Sequence, residues 1–378
     1  MLHVWLARFL APLMILGLPL LGAWLDGQSL APYLEFPPTP KAWDSKSFSW
    51  ALFMVTTLVV VGAVVPLVIR VFSAEPPSPE GTAYPADFPR WGWWGVGIVA
   101  ITWVLAWNRF SWFAPLQPYT FTLLWVGYIW VVNGLTFQRT GHCLVVDRPK
   151  QLLLLFPLSA LFWWFFEYLN LFAQNWYYLG ESSAPTAGIR DFLTASLPFS
   201  TVLPAVLSTR DLLASFPRLS AGLGNYHPVP VPFPRLLPWI ILLVGGGGLL
   251  GIGLWPTYLF PAVWVAPILL IVALQSLTGG HTFFSPLTQG DWRPLWLPAL
   301  AGLICGFFWE MWNEYSFSRW VYTIPQVHGF SLFEMPLLGY AGYLPFGLTC
   351  VATLDFFLPT RFDLHQFTYR QILKATPR

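Results

Sequence analysis

Long apolar runs recur along the chain, and short polar segments separate them. A run of about 20 apolar residues matches the length of a helix that crosses the hydrocarbon core of a bilayer. We therefore predict ten membrane-spanning helices, at residues 5–25, 48–70, 91–112, 119–138, 152–173, 191–209, 236–255, 258–277, 295–314 and 332–358. The sixth run contains Pro198 and Pro204, so we expect a broken or tilted helix there.

The first run and the basic residues set the expected topology. The first run lacks a small-residue cleavage signature before Asp26, so we expect it to remain as a signal anchor rather than to be removed. If the N-terminus is cytoplasmic, 14 of the 19 Lys and Arg residues fall on the cytoplasmic side. Cytoplasmic loops carry such an excess of Lys and Arg. We therefore predict an integral protein of the cell (inner) membrane with both termini in the cytoplasm.

Composition excludes several classes of protein. The chain is 56% hydrophobic and 10% charged with a mean hydropathy of +0.58, which excludes a water-soluble globular domain. Its 23 Trp residues exceed the needs of interfacial belts, so we expect rings in helix contacts or in an internal cavity. The sequence has no basic face for nucleic acid, and we expect neither a metal nor another cofactor. Its three Cys residues have no C-x-x-C spacing.

Pro-rich linkers divide the chain. Residues 73–90 and 210–235 are interrupted by prolines and fall between groups of predicted spans. We predict an N-terminal helix pair with Pro-rich loops, two four-helix units and a cytoplasmic tail, at residues 1–87, 88–213, 233–358 and 359–378 respectively.

The sequences of the two four-helix units indicate an internal repeat. Trp125 and His142 of the first unit align with Trp264 and His281 of the second at a constant offset of 139. Further along, Glu-x-x-Asn and Trp-x-Tyr recur in the same order: Glu167, Asn170, Trp176 and Tyr178, then Glu310, Asn313, Trp320 and Tyr322. Four spans per unit give both copies one orientation. The predicted fold class is therefore an all-α polytopic membrane protein, with an N-terminal helix pair and two parallel four-helix repeats.

The repeated motif is the candidate site. A Glu in an apolar helix costs a few kcal/mol of insertion unless it faces protein, water or a partner. A protonated carboxyl group beside aromatic rings suits protonation of an alkene, and the rings stabilise a cation. We predict Glu167, Glu310 and Glu334 as candidate catalytic acids. We predict ligand contacts from Asn170, Trp176, Tyr178, Asp191, Asn313, Trp320 and Tyr322.

The same residues also have structural explanations, which stay open at this point. A Glu bonded to Asn or Tyr across helices can hold a bundle together, and Trp and Tyr outside a span are ordinary interfacial anchors. Asp191 and Glu334 begin helices, where the dipole favours them. Gly141 and His142 fit a helix C-terminal cap better than a metal site. The glycines at 245–248 predict close helix packing.

The second unit resembles the membrane-integral lycopene cyclase domain family. The resemblance lies in Trp320-Val321-Tyr322, in the run Gly329 to Phe333, in Pro336-Leu337 and in Phe346, with Glu310 upstream. It implies non-redox, acid-initiated cyclisation of a polyene, with Glu310 as the acidic position, Trp320 and Tyr322 as the aromatic pair, and Pro336 as the proline. The family's paired glutamates after that proline are replaced by Leu337 and Leu338.

We therefore expect a membrane protein that binds an apolar lipid or isoprenoid, such as a carotenoid-like polyene, between its repeats. As an enzyme it would be a non-redox, acid-initiated cyclase, isomerase or hydratase. The alternative is a non-catalytic accessory or scaffold subunit of a larger membrane-protein complex. A transporter is a third hypothesis, against which the scarcity of charges within the predicted spans counts.

Overall fold

The protein is built almost entirely of helices. The computed structural model describes residues 3–38, 48–75, 87–179, 188–279 and 281–357. Its α-helices are α1 (Val4–Leu25), α2 (Ala31–Leu34), α3 (Trp50–Ser73), α4 (Arg90–Trp107), α5 (Thr120–Thr140), α6 (Leu144–Asp147), α7 (Pro149–Ala173), α8 (Gly188–Phe199), α9 (Val202–Ala214), α10 (Leu237–Leu254), α11 (Pro256–Leu259), α12 (Ala262–Leu277), α13 (Arg293–Asn313) and α14 (Tyr343–Phe357).

Short strands and 3-10 turns fill several of the connections. The strands are β1 (Trp176–Leu179), β2 (Arg319–Tyr322), β3 (Ser331–Leu332) and β4 (Met335–Pro336). The 3-10 turns are Ser111–Tyr119, Pro217–Ser220, Ser285–Gln289 and Leu337–Gly342. The predicted C-terminal tail at 359–378, and residues 39–47 and 76–86 of the predicted Pro-rich loops, lie outside the described residues.

The described part of the chain contains eight segments that are helical, long and apolar enough to cross a membrane. The chain is therefore an all-α membrane protein. These segments are Val4–Leu25, Trp50–Ser73, Ser111–Thr140, Pro149–Ala173, Gly188–Ala214, Leu237–Leu254, Arg293–Asn313 and Leu337–Phe357. The two other predicted spans are also helices, namely α4 and the 16-residue α12.

Four of the predicted spans are not continuous α-helices. The third extends past the end of α4 at Trp107, and the eighth begins in α11, before α12 starts at Ala262. The sixth is divided at Ser200 and Thr201 into α8 and α9, just after Pro198, which agrees with the break expected from its prolines. The tenth begins later than predicted, because Ser331–Leu332 and Met335–Pro336 pair as strands. Between those strands Phe333 has a φ of +56°, so the chain turns there instead of starting a helix.

Local sequence explains several helix ends. α5 ends where Gly141 takes a left-handed φ of +72° and its amide donates to Phe137 O at 2.7 Å. The predicted Gly141 cap is therefore confirmed. α7 begins at Pro149, which tolerates the first helical turn because its missing amide hydrogen would be unpaired there. It ends at Gln174, whose φ is +49°.

Glycines allow the helices to approach closely, as the glycine-rich seventh span predicted. A Cβ atom on Gly253 of α10 would lie 2.3 Å from Pro19 O of α1. A Cβ atom on Gly347 of α14 would lie 2.0 Å from Pro298 O of α13. Backbones therefore touch along α1–α10 and along α13–α14, where a larger residue would force the helices apart.

The central helices bring the two candidate motifs to one end of the bundle. α9 packs against α5, α7 and α13, while α14 packs against α12 and α13. α7 and α13 each carry a Glu-x-x-Asn motif near the C-terminal end, and each is followed by one strand of an antiparallel pair. The pair β1–β2 therefore joins the ends of α7 and α13.

Candidate functional site

Glu167 accepts hydrogen bonds from three aromatic side chains. It lies on α7 and is 1% exposed. Its Oε1 accepts from Trp163 Nε1 at 2.7 Å, from Trp176 Nε1 at 3.2 Å and from the Tyr178 hydroxyl at 2.5 Å. All three donors are neutral, and two of them lie on β1. The carboxyl group thus fixes rings from the helix and from the strand that follows it.

Asn170 fixes the start of β1. Its Nδ2 donates to Trp176 O at 2.7 Å, and its Oδ1 accepts from the Asn175 amide at 2.7 Å and from the Trp176 amide at 3.3 Å. The side chain is fully buried. One face of α7 therefore holds the strand twice, through its backbone by Asn170 and through its rings by Glu167.

The second motif repeats this arrangement with one difference. Asn313 donates to Trp320 O at 2.8 Å and accepts from the Trp320 amide at 2.9 Å. Glu310 Oε1 accepts from the hydroxyls of Tyr322, at 2.7 Å, and Tyr343, at 2.5 Å. Trp320 Nε1 donates to the Tyr322 hydroxyl at 2.8 Å instead of to the carboxyl group. Burial raises the pKa of Tyr322 well above its usual value, so this phenol acts as a neutral donor.

Tyr343 takes the place that Trp163 occupies in the first motif. Trp163 lies one helical turn before Glu167, and the matching position before Glu310 is Gly306. A Cβ atom on Gly306 would lie 2.2 Å from Cδ2 of Tyr343, so only glycine leaves room for this ring. The missing indole is therefore replaced by a phenol from α14. Within the described residues, Glu310 Oε2 is buried and has no hydrogen-bond partner.

The pairing of β1 with β2 is reciprocal. Trp176 lies opposite Tyr322 and Tyr178 opposite Trp320, with Tyr177 opposite Val321 at the centre. Since Trp176 aligns with Trp320 and Tyr178 with Tyr322 in the sequence, exchanging the two units leaves this register unchanged. Each half of the site therefore contributes one strand to a shared ladder.

Aromatic contacts cross between the two units in the same way. Trp125 packs on Trp309 with ring centroids 4.9 Å apart, and Trp264 packs on Phe166 with centroids 5.5 Å apart. Trp125 aligns with Trp264, and Phe166 aligns with Trp309. Both units therefore supply rings to a continuous aromatic core behind the strands.

A cavity of about 470 Å³ opens beside the ladder. Its size falls within the range of about 300–1,000 Å³ typical of small-molecule sites. It is lined by Pro115, Gln117, Pro118, Tyr119, Thr120, Phe121, Trp163, Trp176, Tyr178, Arg190, Asp191, Thr194, Ala195, Pro198, Phe199, Val202, Trp264, Trp309, Ser316, Phe317, Ser318, Trp320, Tyr322 and Tyr343. Every ring that donates directly to Glu167 or Glu310 in the bonds above belongs to this lining. Neither glutamate is among the described residues that line it.

The predicted site residues separate into three groups. Trp176, Tyr178, Asp191, Trp320 and Tyr322 line the cavity. Glu167, Glu310, Asn170 and Asn313 lie behind the wall and hold its residues in place. Glu334 belongs to neither group and pairs with Arg319 of β2 at 3.2 Å. Partial burial raises the pKa of Glu334, while Arg319 acts in the opposite direction.

Sequence reasoning missed several of the residues that build the site. Trp163 was not predicted because the aligned position in the second unit is Gly306, and Tyr343 was not predicted because it lies outside the repeated Glu-x-x-Asn and Trp-x-Tyr motifs. Trp264 and Trp309 were noticed only as aligned positions. The internal repeat could have indicated them, because Trp264 and Trp309 occupy aligned aromatic positions of the two units, and each packs on an aromatic ring of the other unit.

A second polar cluster was also missed. Arg210 and Asp211 lie on α9, are each 2% exposed and form an ion pair at 2.5 Å. Nearby on the same helix, Ser208 accepts a bond from Asn133 and Thr209 bonds to the Tyr128 hydroxyl. The prediction placed Arg210 in an inner linker, so the expected scarcity of charge within the spans was wrong at this position.

Neither a cluster of metal ligands nor similarity to known proteins assigns a function to this site. Among the described residues, no group of three or more His, Cys, Asp and Glu side chains could hold a metal ion. His142 Nδ1 and Asp147 Oδ1 lie 3.2 Å apart and bond to each other. Comparisons of the chain with protein-family models, with curated proteins and with solved structures find no match.

Proposed function

We propose that this protein binds an apolar lipid or isoprenoid, of which a polyene is one example, in the aromatic cavity between its two four-helix units. The proposal includes an inner-membrane location, ten spans, cytoplasmic termini and two parallel repeats. The reciprocal register of β1 and β2 supports the repeats, because two parallel copies related by a two-fold axis would pair in this way.

One observation carries the proposal. The five rings that donate directly to the two buried glutamates all line the same cavity, and they come from both units: Trp163, Trp176, Tyr178, Tyr322 and Tyr343. Structural bonds between helices would need no common cavity. Rings held rigidly around an open space, with their polar atoms turned to the carboxyl groups, suit an apolar ligand.

The placement of the carboxyl groups favours binding over acid catalysis. An acid-initiated cyclase, isomerase or hydratase needs a proton donor within hydrogen-bond reach of the substrate. Here neither Glu167 nor Glu310 is among the described residues that line the cavity, and the lining residues Tyr178 and Tyr343 donate their hydroxyls to these two carboxyl groups. We therefore propose ligand binding as the function of the cavity. A ligand-carrying subunit of a larger membrane complex would use the same cavity.

The test is to identify what the protein retains when it is purified. The protein is extracted in a mild neutral detergent, and its bound lipids and pigments are released and identified by mass spectrometry. Wild-type protein should retain an apolar ligand at close to one molecule per chain. Ala195→Phe fills the cavity from α8 and should remove most of that ligand.

The matched control makes the same change on a lipid-facing surface. Ala100 lies on α4 and is exposed, so Ala100→Phe should retain the ligand as wild type does. Loss of ligand from both variants would point to a general defect in folding rather than to the cavity. Wild-type protein without any bound lipid or isoprenoid, or equal retention by Ala195→Phe and Ala100→Phe, would overturn the proposal.

A further inference from the structure

The aromatic wall of the cavity has its polar atoms engaged. Five of its rings donate to Glu167 or Glu310, and the Trp320 indole donates to Tyr322, which itself donates to Glu310. The N–H and O–H groups of these rings are therefore already engaged when a ligand enters the cavity. The six rings are Trp163, Trp176, Tyr178, Trp320, Tyr322 and Tyr343.

The acids behind the wall make these π systems attractive to a positive charge. The face of an aromatic ring carries negative potential, and a cation over that face is attracted to it. A ring whose N–H or O–H donates to a carboxylate is polarised further in the same direction, because hydrogen-bonded chains polarise one another. Glu167 is 1% exposed and Glu310 is fully buried, so the hydrogen bonds that these two groups accept from the rings are shielded from water.

The charged residues of the lining add to this pattern. Asp191 lines the cavity and brings a third carboxyl group to it. Among the described lining residues, Arg190 is the one Lys or Arg, and it is exposed at the start of α8 beside Asp191. An anionic head group would therefore find no cation within the aromatic part of the cavity.

We infer that the ligand carries a quaternary or protonated ammonium group beside its apolar chain, and that this group binds against the six rings. The inference rests on the proposed ligand-binding function and names the chemical class of the ligand. Aromatic cages of Trp and Tyr are a recurrent way to bind quaternary ammonium groups. The chain of the ligand occupies the apolar remainder, which includes Pro198, Phe199 and Val202.

Two probes that differ only in charge provide the test. Dodecyltrimethylammonium is compared with its neutral isostere, in which a carbon atom replaces the nitrogen, each at low mole fraction in neutral maltoside micelles. Quenching of tryptophan fluorescence gives the affinity. Wild-type protein should bind the cation about tenfold more tightly than the isostere.

Variants of Glu167 and Glu310 test whether the preference for the cation over the neutral isostere depends on these two acids. Glu167→Gln with Glu310→Gln keeps acceptors for the rings but removes both carboxyl groups. It should reduce the preference, which is the ratio of the two affinities, to about threefold or less. Because the preference is a ratio, a loss of affinity common to both probes does not change it. Glu35→Gln, the same change at an exposed glutamate, should leave the preference intact. If the double variant does not fold, Glu167→Gln alone should still weaken the preference.

The outcomes separate this inference from the function on which it rests. Equal wild-type affinity for both probes would overturn the inference and leave the proposed function standing. Failure of both probes, together with purified protein that holds no ligand, would overturn the proposed function as well. An undiminished preference in the variants would also overturn the inference. The source of the ammonium group is tested by incubating the protein with mixed vesicles. If the protein retains phosphatidylcholine over phosphatidylglycerol, the ammonium group belongs to a lipid head group. If it retains both lipids equally but still binds the cationic probe selectively, the ligand is a free amphiphile.

Discussion

The hydroxyl of Tyr343 should stabilise the fold more than the hydroxyl of Tyr178 does. Tyr343→Phe removes one of the two hydroxyls that donate to Oε1 of the buried Glu310, whose Oε2 has no hydrogen-bond partner among the described residues. Tyr178→Phe leaves Glu167 with both indoles. A hydrogen bond to a charged acceptor is worth about 1.5–3 kcal/mol, and an unsatisfied buried group adds to the loss. We expect Tyr343→Phe to lower the free energy of unfolding by about 2 kcal/mol and Tyr178→Phe by about 1 kcal/mol.

Equilibrium unfolding of the detergent-solubilised protein in guanidinium chloride, followed by tryptophan fluorescence, measures both values. Tyr340→Phe is the control, since the hydroxyl of Tyr340 donates to Leu332 O in an exposed bond of 3.1 Å. That variant should change the free energy by about 0.5 kcal/mol or less. Equal losses for the Tyr343 and Tyr178 variants, or a larger loss for Tyr178, would refute the reasoning about the number of donors.

A double-mutant cycle examines the exchange of Trp163 for Tyr343 directly. Gly306→Trp alone should destabilise by about 3 kcal/mol, because its Cβ meets a ring that Glu310 holds in place. In the Tyr343→Phe background the ring is released, and the new indole reaches a carboxyl group that has lost a donor. In the first unit the indole at the equivalent position, Trp163, already donates to its carboxyl group at 2.7 Å. We expect a favourable coupling of about 1 kcal/mol or more, and additive losses would refute the exchange.

Three further outcomes are expected. Gly347→Ala should lower the free energy of unfolding by about 2 kcal/mol, because its Cβ would lie 2.0 Å from Pro298 O. Gly97→Ala should be close to neutral in the same guanidinium chloride titration, because a Cβ there would meet nothing within 4 Å. Maleimide at pH 7.5 should label the three buried cysteines only after unfolding; burial raises the pKa of Cys143 to about 11, so labelling of that thiol should begin only as the pH approaches this value. Reporters fused near Pro228 and after Arg378 should give cytoplasmic signals, and a signal from the opposite side would remove the ten-span topology.

The span pattern and the two polar motifs were accessible from the sequence because each has a strong physical signal. A helix that must cross hydrocarbon needs a long apolar run, so hydropathy finds it even where Pro198 breaks it. Glu167 and Glu310 stand out because a buried acid is costly, and the second copy makes chance less plausible. The sequence did not reveal which rings each acid would hold. Trp163 and Tyr343 come from different helices, and only the packed structure shows that one substitutes for the other.

The strand pairing could not be predicted for a different reason. Strands of four residues such as β1 and β2 are too short for alternation of polar and apolar positions to identify them. Their pairing depends on α7 and α13 ending side by side, which is a property of the whole bundle. Arg210 and Asp211 show the opposite difficulty, since two adjacent charges near a proline-rich segment favour a loop. Their burial follows from packing of α9 against α5, α7 and α13.

The burial of two acids is explained by the cavity wall better than by the stability of the helices. Replacing a buried charge with a hydrophobic side chain of similar volume is often neutral or even stabilising, so stability alone gives little reason to keep Glu167 or Glu310. Here each carboxyl group satisfies buried donors on rings that belong to other elements. Removing an acid would leave those hydroxyl and indole groups without an acceptor, and each would turn towards the cavity or lose its position. The acids are therefore the components that hold the aromatic rings in the wall of a 470 Å³ cavity in place.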